Sequence, residues 1–156
     1  VNEAANAGVD GLIMVDLPPE EDDELCDPAR TAGLHWIRLV TPTTNESRLS
    51  DVLANSSGFV YYVSIAGITG TQSAAAASIE KAVHHIKAKS DLPVAVGFGI
   101  KTREQVKEIG NIAEGVVVGS AIVNEIEQNL DPNGQPKAHL VESVISLVRS
   151  LATDSV

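Results

Sequence analysis

Two short stretches carry residue types that could hold an anion. Gly97-Phe98-Gly99 ends the apolar run "VAV" at 94–96 and precedes a helical pattern. Gly119-Ser120 does the same one unit later, after "VVV" at 116–118. Glycine lets backbone N–H groups approach a phosphate closely. A helix starting there adds unpaired donors and the positive end of its dipole. Such a cradle needs neither Lys nor Arg. Gly97-Phe98-Gly99 alone reads equally as a tight turn; recurrence at the ends of two successive strands favours phosphate. A dinucleotide fingerprint fits less well, because GxGxxG would need glycine where the chain has Thr102.

Other candidates are weaker. "YYVSIAGITGTQS", 61–73, leaves a strand through Gly67, Thr69 and Gly70. That connection can serve as a lid over a site or as an ordinary loop. Asp16 closes "GLIMVD" ahead of Leu17-Pro18-Pro19, as a catalytic carboxylate or as a turn residue. His84 and His85 are neighbours on a helical pattern and cannot share one ligand; His35 and His139 stand alone. No spacing suggests zinc, and Cys26 has no recognisable base nearby. Neither a nucleophile elbow nor a P-loop is present.

The elements that must position these residues are legible. Five β-rich runs, Leu12–Val15, Trp36–Val40, Phe59–Val63, Val94–Val96 and Val116–Val118, are nearly continuously apolar, as in strands buried on both faces. Helical patterns alternate with them. Asn45–Ala54 puts Leu49, Val52 and Leu53 on one face, and Ser73–Lys89 does so with Ile79, Val83 and Ile86. Thr102 and Gln105 form a capping-box pattern. Lys137–Leu151 aligns Val141, Val144, Ile145 and Val148, "EEDDELCDPARTAG" gives a weaker helix carrying Pro28, and "AIVNEI" is a short extra one. The alternation demands a parallel sheet with right-handed crossovers. A five-stranded doubly wound sheet would be complete at this length. A (β/α)8 barrel needs roughly 250 residues, so this would be its last five units. "VNEAANAG" reads as the closing turns of a helix, which leans toward a barrel truncated at its N-terminus. No linker interrupts residues 1–156, so one domain is expected.

Composition narrows the partners. The 156 residues are 44% hydrophobic but only 3% aromatic, so the core must be aliphatic. With 11 Lys and Arg against 21 Asp and Glu, the formal charge of −10 argues against nucleic acid. No apolar run approaches the ~20 residues of a membrane span, and no secretory leader is seen. With the lone Cys26, these point to a reduced, cytoplasmic setting.

Together, "AGVDGLIMVDLPPEE", "SIAGITG", "PVAVGFGIKTREQV" and "GVVVGSAIV" resemble the α subunit of tryptophan synthase, in that family's order and spacing, from the first residue to at least Ile126. The resemblance implies an α/β fold, the parallel (β/α)8 TIM barrel, with residues 12–15 as strand four and 116–118 as strand eight. It implies retro-aldol cleavage of indole-3-glycerol phosphate to indole and glyceraldehyde 3-phosphate. The indole would pass to a β subunit that carries pyridoxal phosphate, the α subunit having no cofactor or metal of its own.

Carried over by position, Gly99, Gly119 and Ser120 would hold the substrate phosphate, with Gly70 close to it. Phe98 would lie beside the indole ring and Tyr61 would face the substrate. Thr69 would close over the site, and Asp16 would sit near the face that meets the β subunit. The family's general acid/base glutamate and its partner aspartate would lie upstream of Val1, so no catalytic residue is expected within the chain. Lys101 departs from the small polar residue common there. Two other readings remain: a phosphate-binding half-barrel without catalysis, and another phosphate-binding barrel enzyme, such as an indoleglycerol-phosphate synthase or phosphoribosylanthranilate isomerase relative.

Overall fold

The structure, a computed structural model, describes residues 1–64, 72–97 and 99–152, with backbone alone at 72–74. Five parallel strands form one sheet: β1 (Gly11–Met14), β2 (His35–Val40), β3 (Val60–Val63), β4 (Val94–Gly97) and β5 (Gly115–Val117). Their spatial order is β1-β2-β3-β4-β5. That order separates the two candidate architectures. A doubly wound sheet reverses direction at a switch point, whereas a barrel wall adds each strand beside the last. The chain is therefore a partial (β/α)8 barrel of five consecutive units.

The helices are α1 (Asn2–Asn6), α2 (Asp23–Thr31), α3 (Glu46–Ala54), α4 (Gln72–Lys87), α5 (Arg103–Gly110), α6 (Ser120–Gln128) and α7 (Leu140–Leu151). Local chemistry sets their starts. The Asn45 side chain accepts from the Arg48 N–H at 2.9 Å and caps α3. Thr102 and Gln105 close the expected capping box on α5. Helix α2 runs through Pro28 without a break. Among the described residues, no helix is long and apolar enough to cross a membrane.

Strand register gives each sheet face its own work. Val40, Tyr62 and Val96 are partners across β2–β4, as are Leu39, Tyr61 and Ala95. Successive side chains point to opposite faces. Val40, Val60, Tyr62, Val94 and Val96 join Leu49 and Val52 of α3, Ile79, Val83 and Ile86 of α4, and Ile109 of α5 in one buried aliphatic cluster. The opposite face carries Ile13, Ile37, Leu39, Tyr61, Val63 and Ala95, which would line a barrel interior.

A second cluster seats α1 and α2 against β1 and β2 through Cys26, Ala29, Leu34 and Trp36, with Ala4, Leu12 and Met14 packed on it. Asp22, fully buried, accepts from Trp36 Nε1 at 3.1 Å and pairs with Arg38. Arg38 Nη1 also donates to the Leu17 carbonyl at 2.6 Å, and its guanidinium lies 5.5 Å from the Trp36 ring centroid. Burial draws the Arg38 pKa down. It pushes the Cys26 thiol up, in keeping with an inert cysteine.

Several boundaries differ from the sequence expectation. Val15 leaves the sheet at a bend and is 67% exposed, so β1 ends at Met14. Gly97 remains in the ladder opposite Val63 and Val117, so β4 is one residue longer than expected. Helix α7 starts at Leu140 rather than Lys137, because the Lys137 N–H and ammonium are taken by the Asn129 and Gln128 carbonyls. The aligned stripe on α7 is largely exposed at Val141, Ile145 and Val148, and the helix buries Leu151.

At the opposite end of the sheet, Glu114 accepts from Lys87 Nζ at 2.7 Å and from the Val94 N–H at 2.9 Å. These contacts, Lys87 first, hold its carboxyl below the usual value of 4.5. A depressed folded pKa gives stability that is present above the unfolded value and lost as pH falls through the folded one. Glu114→Gln should therefore lower Tm at neutral pH, and the gap to the parent should close as pH falls below about 4.5. Melts from pH 7 to pH 3 check this, and a gap independent of pH would refute it.

Candidate functional site

The carboxyl ends of β3, β4 and β5 meet at one edge of the sheet. The pairing Val63↔Gly97↔Val117 puts Ser64, Gly99 and Gly119 just beyond that edge. Ser64, 2% exposed, fixes the joint: its N–H and hydroxyl both donate to the Gly97 carbonyl, at 2.9 and 3.0 Å. The last peptide of β4 is thus held from the side before the chain turns.

Gly97 is required here by space. A Cβ at this position would lie 2.6 Å from Cε2 and 2.9 Å from Cζ of Tyr61, and closer still to its hydroxyl oxygen. Tyr61 is paired with Ala95 and reaches along the same face to cover the residue two further on. Gly99 has φ of 78°, the left-handed region that other residues adopt only with strain. One strand over, Gly119 precedes α6, and its carbonyl accepts from Ile122 and Val123 at 2.9 and 3.1 Å. The first N–H groups of a helix have no partner within it. At α6 they follow an exposed glycine with open space beside its Cα, and Ser120 is exposed at the first helical position. Two glycine turns, one left-handed and one opening a helix, therefore follow the neighbouring strands β4 and β5. That arrangement can receive a phosphate on backbone N–H groups.

Of the residues expected from sequence, Tyr61, Gly99, Gly119 and Ser120 are brought to this end of β3–β5. Asp16 is not. It is exposed after β1, at the far side of the sheet, beside a cavity of about 410 Å³ lined also by Pro18, Arg38, Thr44 and Arg48. Glu20 pairs with Arg48 nearby, and its own backbone amide followed by Arg48 lowers its pKa. Thr69, Gly70 and Phe98 lie outside the described residues. No group of three His, Cys, Asp or Glu side chains among the described residues could hold a metal.

The sequence marks Ser64 and Gly97 as strand-end residues but not their contacts. The signal for Gly97 was its even spacing from Ala95 along one strand, in register with Tyr61. Nothing in the order of residues linked Ser64 to a carbonyl 33 positions away. The Arg38–Asp22 pair was missed as well, although a lone arginine inside the apolar run 36–40 was visible.

A family model described as the tryptophan synthase alpha chain matches residues 1–152. The chain belongs to the tryptophan synthase alpha chain family. Solved structures agree. A tryptophan synthase subunit alpha from Campylobacter jejuni superposes with a TM-score of 0.83 at 29% identity, over 96% of this chain and 56% of that one. A tryptophan synthase alpha chain from Legionella pneumophila gives 0.78 at 35%, and a Mycobacterium tuberculosis tryptophan synthase gives 0.79 at 35%. Each of these covers 96% of this chain and 53% of its own. The chain thus spans about half the length of the structures it resembles.

The contact of Tyr61 with Gly97 makes a prediction within this family frame. Gly97→Ala should destabilise the fold by about 1–3 kcal/mol through overpacking. Removing the ring in a Gly97→Ala/Tyr61→Ala double variant should recover about 1 kcal/mol or more of coupling. Denaturant melts of the four proteins measure it; additive effects would mean the two residues do not compete for space.

Proposed function

We propose that this chain supplies the phosphate- and indole-binding side of a barrel that splits indole-3-glycerol phosphate into indole and glyceraldehyde 3-phosphate. The observation that carries the reading is the pair of glycine turns after β4 and β5, one of them opening α6. In a chain of formal charge −10, backbone donors attract an anion without a cationic side chain. Gly99, Gly119 and Ser120 hold the phosphate, and Gly70 lies close to it. Tyr61, on the inner face over Gly97, meets the rest of the substrate. Phe98 stands beside the indole and Thr69 closes the site.

The proton transfers need carboxylates: protonation at indole C3 and removal of the neighbouring hydroxyl proton let the C–C bond break. In the family a glutamate at the end of strand two makes both transfers and an aspartate in the next loop stabilises the indole N–H as charge develops, and the reading requires both in the full-length protein. The chain needs no cofactor of its own. Asp16, exposed beyond β1, belongs to the surface that meets a tryptophan synthase β subunit, where pyridoxal phosphate resides. Residues 1–156 form one domain with the rest of the barrel, in the cytoplasm.

The test uses full-length protein and follows indole release. Ser120→Ala should raise KM for indole-3-glycerol phosphate about threefold to tenfold with a smaller change in kcat, as for a lost hydrogen bond to a group remote from the reacting bond. Gly119→Asp should raise KM much further by setting a carboxylate against the phosphate. If the parent releases no indole yet binds inorganic phosphate, the non-catalytic reading takes its place. If both variants match the parent in KM, the phosphate lies elsewhere.

A further inference from the structure

A cavity of about 260 Å³ opens between α3 and α4, on the helix side of the sheet and away from the glycine turns. Its walls include Val40, Leu49, Tyr62, Ala82 and Ile86. These residues make most of it apolar. Three features give it a polar end.

The first is Tyr62. The residue is only 3% exposed and lines the cavity, and no described group forms a hydrogen bond with its hydroxyl. The hydroxyl is not among the sealed polar atoms of the described residues; it opens on the cavity, where water or an occupant accepts from it. Burial raises its pKa, so at neutral pH the group is a donor. The second is Lys81, at the rim, with no described partner. The third is the local charge balance. Glu46, the nearby carboxylate, is already matched by Lys89 Nζ and His85 Nε2, each at 2.6 Å. That leaves the exposed Lys81 ammonium without a described carboxylate partner, on the same cavity as the Tyr62 hydroxyl, in a chain of formal charge −10. Thr41 completes the rim, held by its N–H to Thr44 Oγ1 at 3.1 Å.

From this cavity we infer a second binding site, for a small organic carboxylate with an apolar body. The carboxylate accepts from the Tyr62 hydroxyl and pairs with Lys81, while the body fills the space between Leu49, Ala82 and Ile86. A bare phosphate would leave the apolar walls unused, and a neutral hydrocarbon would leave both Tyr62 and Lys81 unmatched. The site stands apart from the phosphate reading of the β4 and β5 ends and survives its failure.

Titration of the full chain with benzoate, followed by amide and methyl chemical shifts, tests it. Saturable binding is expected, with shifts at Tyr62, Ala82 and Ile86 and none at Gly99 or Gly119. Tyr62→Phe and Lys81→Gln should each weaken it about threefold to tenfold. Ala82→Leu, which fills the cavity, should abolish it, with thermal melts showing each variant folded. Benzyl alcohol, of like size but neutral, should bind more weakly than benzoate. Lack of saturation up to about 10 mM, far beyond the millimolar affinity of a weak specific site, would overturn the proposal. So would benzoate affinity unchanged in folded Lys81→Gln and Ala82→Leu, or benzyl alcohol binding as tightly as benzoate.

Discussion

Parallel pairing of Val63, Gly97 and Val117 is the constraint on which the candidate site rests. In a parallel sheet every strand finishes at the same edge, so loops far apart in sequence become neighbours. Here that edge collects Ser64, Gly99 and Gly119. The register is set by the helix-facing residues. A slip of one position would turn Val60, Tyr62, Val94 and Val96 away from α3, α4 and α5 and expose the core those residues build. Aliphatic packing on one face thus decides where backbone donors stand at the end of the other. Chemistry at the edge needs no dedicated scaffold beyond this.

Gly97 shows how closely packing and binding are joined. The missing side chain lets Tyr61 lie across the strand, and the carbonyl of the same residue is held by Ser64 from the neighbouring strand. Gly97 is therefore held on two sides. Backbone donors bind an anion well only when their orientation is settled before it arrives, since any freedom lost on binding reduces affinity.

Much of this was legible in the residues. Apolar runs and caps set five strands and their helices, and the recurrence of glycine after two successive runs pointed to the candidate site. Periodicity alone could not carry spatial order, since five β/α units are compatible with either a reversing or a sequential sheet; the family resemblance chose the barrel, and the pairing bears that out. Boundaries slipped where a tertiary contact overrode a local pattern, as at Lys137, whose N–H and ammonium are claimed by carbonyls of the preceding segment. The stripe on α7 is a case apart. Periodicity at Val141, Ile145 and Val148 reports that a face is apolar, not that anything covers it.

The buried Asp22–Arg38 pair is of another kind. Hydrophobic residues of similar volume would serve stability as well or better, because desolvating two charges offsets much of their attraction. The pair does something packing alone would not. Arg38 stands in β2, Asp22 precedes α2, and Leu17 follows β1, so one guanidinium joins three segments by directional contacts. Trp36, donating to the same carboxylate, adds a fourth constraint from the strand. Aliphatic contacts tolerate sliding; these do not. The segment after β1, which carries Asp16 and the two prolines, is thereby tied at Leu17 to the sheet, although Asp16 and Pro18 are themselves exposed. An exposed loop held by a buried anchor keeps a defined shape at little cost in surface hydrophobicity.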